Sequence, residues 1–183
     1  MATLRTSGIL VFIAVNLHLV GCGSGGVDGS AANAVTINEL QSSNSVTIAD
    51  PADGSYNDWF ELYNSTDKDV DLTGYNLSDD STNLKKFSFT TDAVVPAKGY
   101  LLMWADGTAE VTQGPLHVGF KLSATNGDRV IFSDPEGNVV DDVKIAVPPA
   151  ADMAYERFPD GTGDFTWCSV PTPNATNGAS CGK

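Results

Sequence analysis

From Val35 onward the chain alternates short apolar runs with turn-forming residues: VTINEL at 35, DWFELYN at 58, VDLTGYNLSD at 70, KKFSFT at 85, GYLLMWAD at 99, GFKLS at 119, DRVIFSD at 128 and NVVDDVKI at 138. The runs are rich in Val, Ile, Phe, Tyr and Trp, and Gly, Pro, Asn and Asp gather between them. None sustains a 3.6-residue apolar period, so each predicts a strand and the helix content should be low. In DRVIFSDPEGNVVDDVKI the residues Asp134-Pro135-Glu136-Gly137 put Pro at i+1 and Gly at i+3 of a type I turn, which predicts a hairpin. Alternation in its second strand assigns Val139, Asp141, Val143 and Ile145 to one face and Val140, Asp142 and Lys144 to the other. About eight strands at this spacing predict an all-β sandwich or barrel.

The first 34 residues read differently. MATLRTSGILVFIAVNLHLVGC runs from a positive charge at Arg5 through an apolar stretch, Gly8 to Val20, to small residues before Cys22, the layout of a secretory signal. The stretch is shorter than the ~20 residues a bilayer-spanning helix needs, so cleavage is the expectation rather than a retained anchor. Leu19-Val20-Gly21-Cys22 resembles the lipobox of bacterial lipoproteins, in which the cysteine is acylated and becomes the new N-terminus. An ordinary signal with an incidental cysteine is the alternative. Gly23 after the cysteine, rather than Asp, implies sorting to the outer membrane. Residues 22–34, CGSGGVDGSAANA, are small and glycine-rich and read as a flexible tether of roughly 20 Å. The predicted organisation is a signal over 1–21, a lipidated tether over 22–34, a sandwich over 35–146 and a C-terminal extension, 147–183, packed on it.

Cysteine parity agrees with export. Of three cysteines, lipid at Cys22 leaves Cys168 and Cys181 as an even pair, with no zinc spacing and no histidine nearby. A disulfide there would close a short loop and contribute roughly 3 kcal/mol; two free thiols are the alternative. The chain carries 23 acidic against 10 basic residues, a formal net charge of -13. Such a surface repels phosphate, which argues against nucleic acid as a partner.

Catalytic patterns are sparse. Beyond the signal His117 is the sole histidine, which excludes multi-histidine metal sites within the chain and confines any Ser-His-Asp arrangement to GPLHVGF. Gly178-Ala179-Ser180-Cys181-Gly182 matches G-x-S-x-G but lacks the strand-turn-helix context that pattern requires. The candidate ligands for calcium are Asp50, Asp53 and Asp58 in one acidic loop and Asp79 and Asp80 in another, without EF-hand spacing; solvated turn aspartates are the competing reading. Trp59, Tyr63, Trp104, Tyr155 and Trp167 are candidates for a peptide or sugar groove, or for the rim and core of a sandwich.

The ordered segments resemble the lamin tail domain, an immunoglobulin-like sandwich. Ile37-Asn38-Glu39-Leu40, Asp58 to Asn64, Val70 to Asp79, Pro96 with Gly99 to Leu101, and Gly127 to Val130 with Asp134, Gly137, Val140 and Asp141 carry the likeness. AYERFPDGTGDFTW and PTPNATNG resemble the ending common in bacterial members, with Asn174 where glycine is usual. The resemblance implies an immunoglobulin-like fold on an exported or envelope protein, brings no catalytic residues, and spans Val35 to Gly178.

Glu61 is the residue that most needs an explanation. In DWFELYN, Phe60 and Leu62 point one way and Trp59, Glu61 and Tyr63 the other. An acid between two aromatics is partly desolvated and needs a donor, for which Arg157, or backbone and hydroxyl groups, are the candidates. A structural role outweighs a catalytic one. The resulting expectation is a non-enzymatic lipoprotein of the bacterial cell envelope, held to the membrane by lipid at Cys22 and contacting a protein or glycan, with no obligatory cofactor. The alternative is a calcium-dependent hydrolase or its accessory module.

Overall fold

The computed structural model describes residues 34–90, 93–108, 116–178 and Cys181. The signal, Cys22 and residues 23–33 of the tether lie outside the described residues; Ala34, read as the tether's last residue, is instead buried in the core. Twelve strands and no helix occur among those described: β1 (Val35–Gln41), β2 (Trp59–Asn64), β3 (Val70–Asp71), β4 (Asn76–Ser78), β5 (Phe87–Ser88), β6 (Val94–Val95), β7 (Tyr100–Trp104), β8 (Leu116–His117), β9 (Asp128–Ser133), β10 (Val139–Ile145), β11 (Ala154–Phe158) and β12 (Asp164–Cys168). They form a six-stranded sheet ordered β12-β11-β1-β2-β7-β8, a four-stranded sheet ordered β10-β9-β4-β5, and the pair β3-β6.

The alternation in the sequence explains the layering. Val35, Ile37, Leu40, Phe60, Leu62 and Met103 from the larger sheet pack with Leu77, Phe87, Val130, Phe132, Val143 and Ile145 from the smaller one in a single buried cluster. The molecule is therefore an all-β sandwich, as its pattern of apolar positions predicts.

One irregularity in β1 decides where its polar residues go. Strict alternation from Val35 and Ile37 would turn Glu39 into the core. Instead the β1–β2 register shifts between Ile37 and Glu39, so that Ile37 faces Leu62 while Glu39 faces Glu61. This bulge at Asn38 keeps Ile37 and Leu40 both in the core and sends Glu39 and Gln41 to the outer side of the larger sheet.

Several elements depart from expectation. The run at 70–79 is two strands in different sheets, separated by a turn in which Gly74 takes φ +86°. GFKLS is not a strand: it makes one isolated bridge, Lys121 to Asp106, although Phe120 and Leu122 are buried in the core. In β10 a register shift between Val139 and Asp141 adds a residue, so Val139 is 51% exposed and Val140 packs against the core, reversing the predicted faces at that end. Beyond the shift, Val143 and Ile145 are buried as predicted. Residues past 146 do more than lie on the sandwich, because β11 pairs with β1 and β12 with β11, extending the larger sheet.

Candidate functional site

The outer side of the six-stranded sheet carries most of the unusual chemistry. Glu156 on β11, Glu39 on β1 and Glu61 on β2 stand in one row, Glu39 being directly opposite both others, and all three are fully buried. Loss of water raises all three carboxyl groups. Glu61, also beside Glu39, is pushed up to about 9; Glu156, likewise beside Glu39, to about 8; and Glu39 to about 7.

The segment after β12 lies over this row as a strap. Thr172 donates to Glu39 through its backbone N–H (2.9 Å) and stands 3.0 Å from it through its hydroxyl. The backbone N–H of Asn174 donates to Glu61 at 2.8 Å. Asn174 has φ 60°, so asparagine, which tolerates the left-handed region, supplies the geometry for which glycine is usual. Asn177 is buried and donates to the backbone oxygens of Asn38 (3.2 Å) and Arg157 (2.8 Å). A Cys168–Cys181 disulfide ties down the far end, bringing Cys181 Sγ to 2.8 Å from Glu156 Oε1.

Asn38, the bulge residue, serves as the hub beneath the strap. Its side chain donates to Glu61 Oε1 (3.2 Å) and to Asp160 (3.1 Å) and accepts from the Gly161 N–H (2.9 Å). Gly161 has φ +70°, and a Cβ there would meet the Tyr63 ring at 2.9 Å, so only glycine fits. Asp160 also accepts from the Tyr100 hydroxyl at 2.8 Å.

Arg157 is not the partner of Glu61. It points to the other side of the sheet and makes a two-fold contact with Asp141 of β10, at 3.0 and 3.1 Å. Asp141 accepts the Ile37 N–H (3.0 Å) and Arg157 Nε donates to the Ile37 oxygen (2.9 Å), satisfying the strand backbone next to the bulge. The Arg157 guanidinium also lies 4.4 Å from the Phe165 ring centroid. Glu61 is held instead by an amide side chain and a backbone N–H.

Beside the row is a cleft of about 420 Å³ lined by Ile48, Pro51, Tyr100, Leu101, Leu102, Trp104, Leu116 and Asn174. Tyr100, Leu102 and Trp104 follow Tyr63, Glu61 and Trp59 in register on β7, so cleft and glutamates share one face. Trp59 and Trp104 are fully buried, and Trp59 Nε1 donates to Gln41 at 2.7 Å; neither tryptophan offers an open ring. Tyr155 stacks on Phe165 and meets Trp167 with the rings tilted by 41°, each at a 4.9 Å centroid separation, and all three pack against the core.

A family model for the Lamin Tail Domain matches residues 29–146. The chain belongs to the lamin tail domain family. That family is an immunoglobulin-like, non-catalytic domain, in keeping with the sandwich described above. No curated protein matches the sequence. The lamin tail domain match takes in β1 to β10, with Glu39, Glu61 and most of the cleft; Glu156, Arg157, Asp160 and the strap follow it in the chain.

Among the described residues of the lamin tail domain, the five aspartates considered for calcium do not gather into one ligand group. Asp53 accepts the Ser55 N–H (2.7 Å), Asp80 accepts from Thr82 through N–H and hydroxyl (2.8 and 2.7 Å), and Asp79 pairs with Lys86 at 2.5 Å. The Asn44 N–H lies 3.4 Å from Asp58, whose carboxyl is raised by burial to about 6. Asp50 alone joins other potential ligands: its carboxylate, with those of Asp106 and the imidazole of His117, forms a group whose donor atoms lie within 4.8 Å of one another. Asp106 follows β7 and His117 sits on β8, and the parallel β7–β8 pairing that unites them leaves no trace in residue spacing.

Proposed function

We propose that this protein is a non-catalytic binding module of the bacterial cell envelope, exported by its N-terminal signal, acylated at Cys22 and held off the outer membrane by the tether. The cleft on the outer face of the larger sheet takes a protein ligand. The observation that carries this reading is the cleft itself: aliphatic walls from Ile48, Pro51, Leu102 and Leu116, with Tyr100 and Asn174 as polar groups at its border. A sugar is recognised mainly by open aromatic faces, and Trp104, the tryptophan that lines this cleft, is only 1% exposed, which favours an apolar protein side chain over a glycan.

The acids support the same conclusion. Glu39 and Glu61, the pair that would most invite comparison with hydrolytic carboxylates, are covered by the strap and engaged by Thr172, Asn174 and Asn38. The net charge of -13 speaks against nucleic acid as the ligand.

Two substitutions test the proposal. Cys22→Ala should abolish palmitate incorporation and release the protein from membranes; unchanged labelling overturns the anchor. Leu102→Asp in the full lipoprotein should remove a partner that co-purifies with the wild type while leaving its melting profile intact. An unchanged partner set overturns the cleft as the binding surface.

A further inference from the structure

The trio Asp50, Asp106 and His117 is separate from the glutamate row and is not used in the binding reading. Asp50 is fully buried, His117 is 8% exposed, and Asp106 is half-buried. The His117 Nδ1 atom lies 3.0 Å from Asp106 Oδ2 and 3.6 Å from Asp50 Oδ2. Both carboxylates are thus aimed at one ring nitrogen. That nitrogen bears at most one hydrogen, so it can serve only one of the two as a donor. No lysine or arginine pairs with Asp50 or Asp106 among the described residues.

We propose that these three side chains bind a divalent cation of the zinc class. Ligands about 2.1 Å from a metal lie about 3.0 Å apart along an octahedral edge and about 3.4 Å along a tetrahedral one. The two separations at Nδ1 fall at and just beyond these edges. One imidazole nitrogen with two carboxylate oxygens suits zinc or manganese, whereas calcium prefers an all-oxygen shell. Other donors hold the aspartates in place: Asp50 accepts from the Ala52 N–H (2.9 Å) and the Asn57 amide (3.2 Å), and Asp106 from the Thr108 N–H (2.8 Å). Such outer contacts orient ligands before metal arrives.

The ion would link the loop before β2, the end of β7 and strand β8. Asp50 lies between Ile48 and Pro51, and His117 follows Leu116, so a cation here fixes the walls of the cleft.

The test uses the intact protein and zinc ion alone, with calcium as the comparison. Isothermal titration should show one saturable zinc site, weakened at least tenfold in both Asp106→Asn and His117→Ala, with no response to calcium at the same concentration. To separate loss of binding from loss of folding, zinc is also titrated into the 15N-labelled wild type, where the His117 ring nitrogens should shift. Absence of zinc binding, full retention of affinity in both variants, or an unshifted His117 ring each overturns the site and leaves an ordinary histidine–aspartate hydrogen bond.

Discussion

Glu39 faces Glu61 directly across β1 and β2, two buried carboxyl groups brought together by a one-residue bulge at Asn38. The pair is accommodated by holding protons and by accepting hydrogen bonds from the strap. The acid in DWFELYN is thus a docking point for the C-terminal segment.

If Glu61 is neutral in the folded protein at ordinary pH, an amide can replace it. Glu61→Gln keeps one acceptor oxygen for the two donors, Asn38 and Asn174, so it should lose about 1 kcal/mol against the wild type at pH 5. The gap should close or reverse by pH 9 as the wild-type carboxyl ionises. Glu61→Ala leaves the Asn174 N–H and the Asn38 amide short of an acceptor and should lose about 1–3 kcal/mol at both pH values. Urea denaturation of the three proteins reads this directly.

The row also sets the pH dependence of stability. Glu39, Glu156 and Glu61 titrate near 7, 8 and 9 when folded, against 4.5 ordinarily, so the folded state binds more protons between those limits. Their stabilising effect is complete below about 4.5 and falls as pH rises towards 9. Asp152 acts in the opposite sense, since its bonds to Ser45 hold it down to about 2 and that stabilisation disappears only in acid. The melting temperature should therefore peak near pH 5 and drop by several degrees by pH 9.

On the other side of the sheet, Arg157 and Asp141 join the two layers while completing the backbone bonds of Ile37. Arg157→Ala should reduce stability by about 2 kcal/mol, below the range for a fully buried pair because both side chains keep some exposure. Arg157→Lys should rescue little, because an ammonium group lacks the fork that reaches both Asp141 and Ile37. A double-mutant cycle with Asp141→Ala should give a coupling above about 1 kcal/mol.

The sequence makes some of these features legible and hides others for identifiable reasons. β1, β2, β7, β9 and β10 are visible because short runs rich in β-branched, aliphatic and aromatic residues are bounded by turns. β11 and β12 are harder to see: Glu156 and Arg157 occupy buried or half-buried positions, and a strand carrying charges inward does not show the alternation of a half-solvated one. GFKLS shows the converse case, with Phe120 and Leu122 buried but no neighbouring strand to pair with. The need of Glu61 for a donor follows from its aromatic neighbours, but the donor's identity depends on a register shift at Asn38 and a turn at Asn174. The row itself exists only across strands, as does the Asp50–Asp106–His117 group.

The strap depends on its tie. Replacing Cys168 and Cys181 together by serine should lower stability by about 3 kcal/mol, the amount expected for closing a short loop. It should also expose the segment from Val170 to Gly178 to proteolysis while the sandwich resists. Limited digestion followed by mass spectrometry locates the cut; a cleavage pattern identical to the wild type would show that Thr172, Asn174 and Asn177 hold the strap unaided.

The cleft beside the glutamate row is the proposed place where this protein meets another protein. The most direct measurement is site-specific photocrosslinking in living cells, with the reactive group placed at Leu102 in the cleft or at Val139 on the smaller sheet, which is 51% exposed. A discrete protein adduct from Leu102 and none from Val139 is the predicted result. No adduct at Leu102, or the same adduct from both positions, would contradict it.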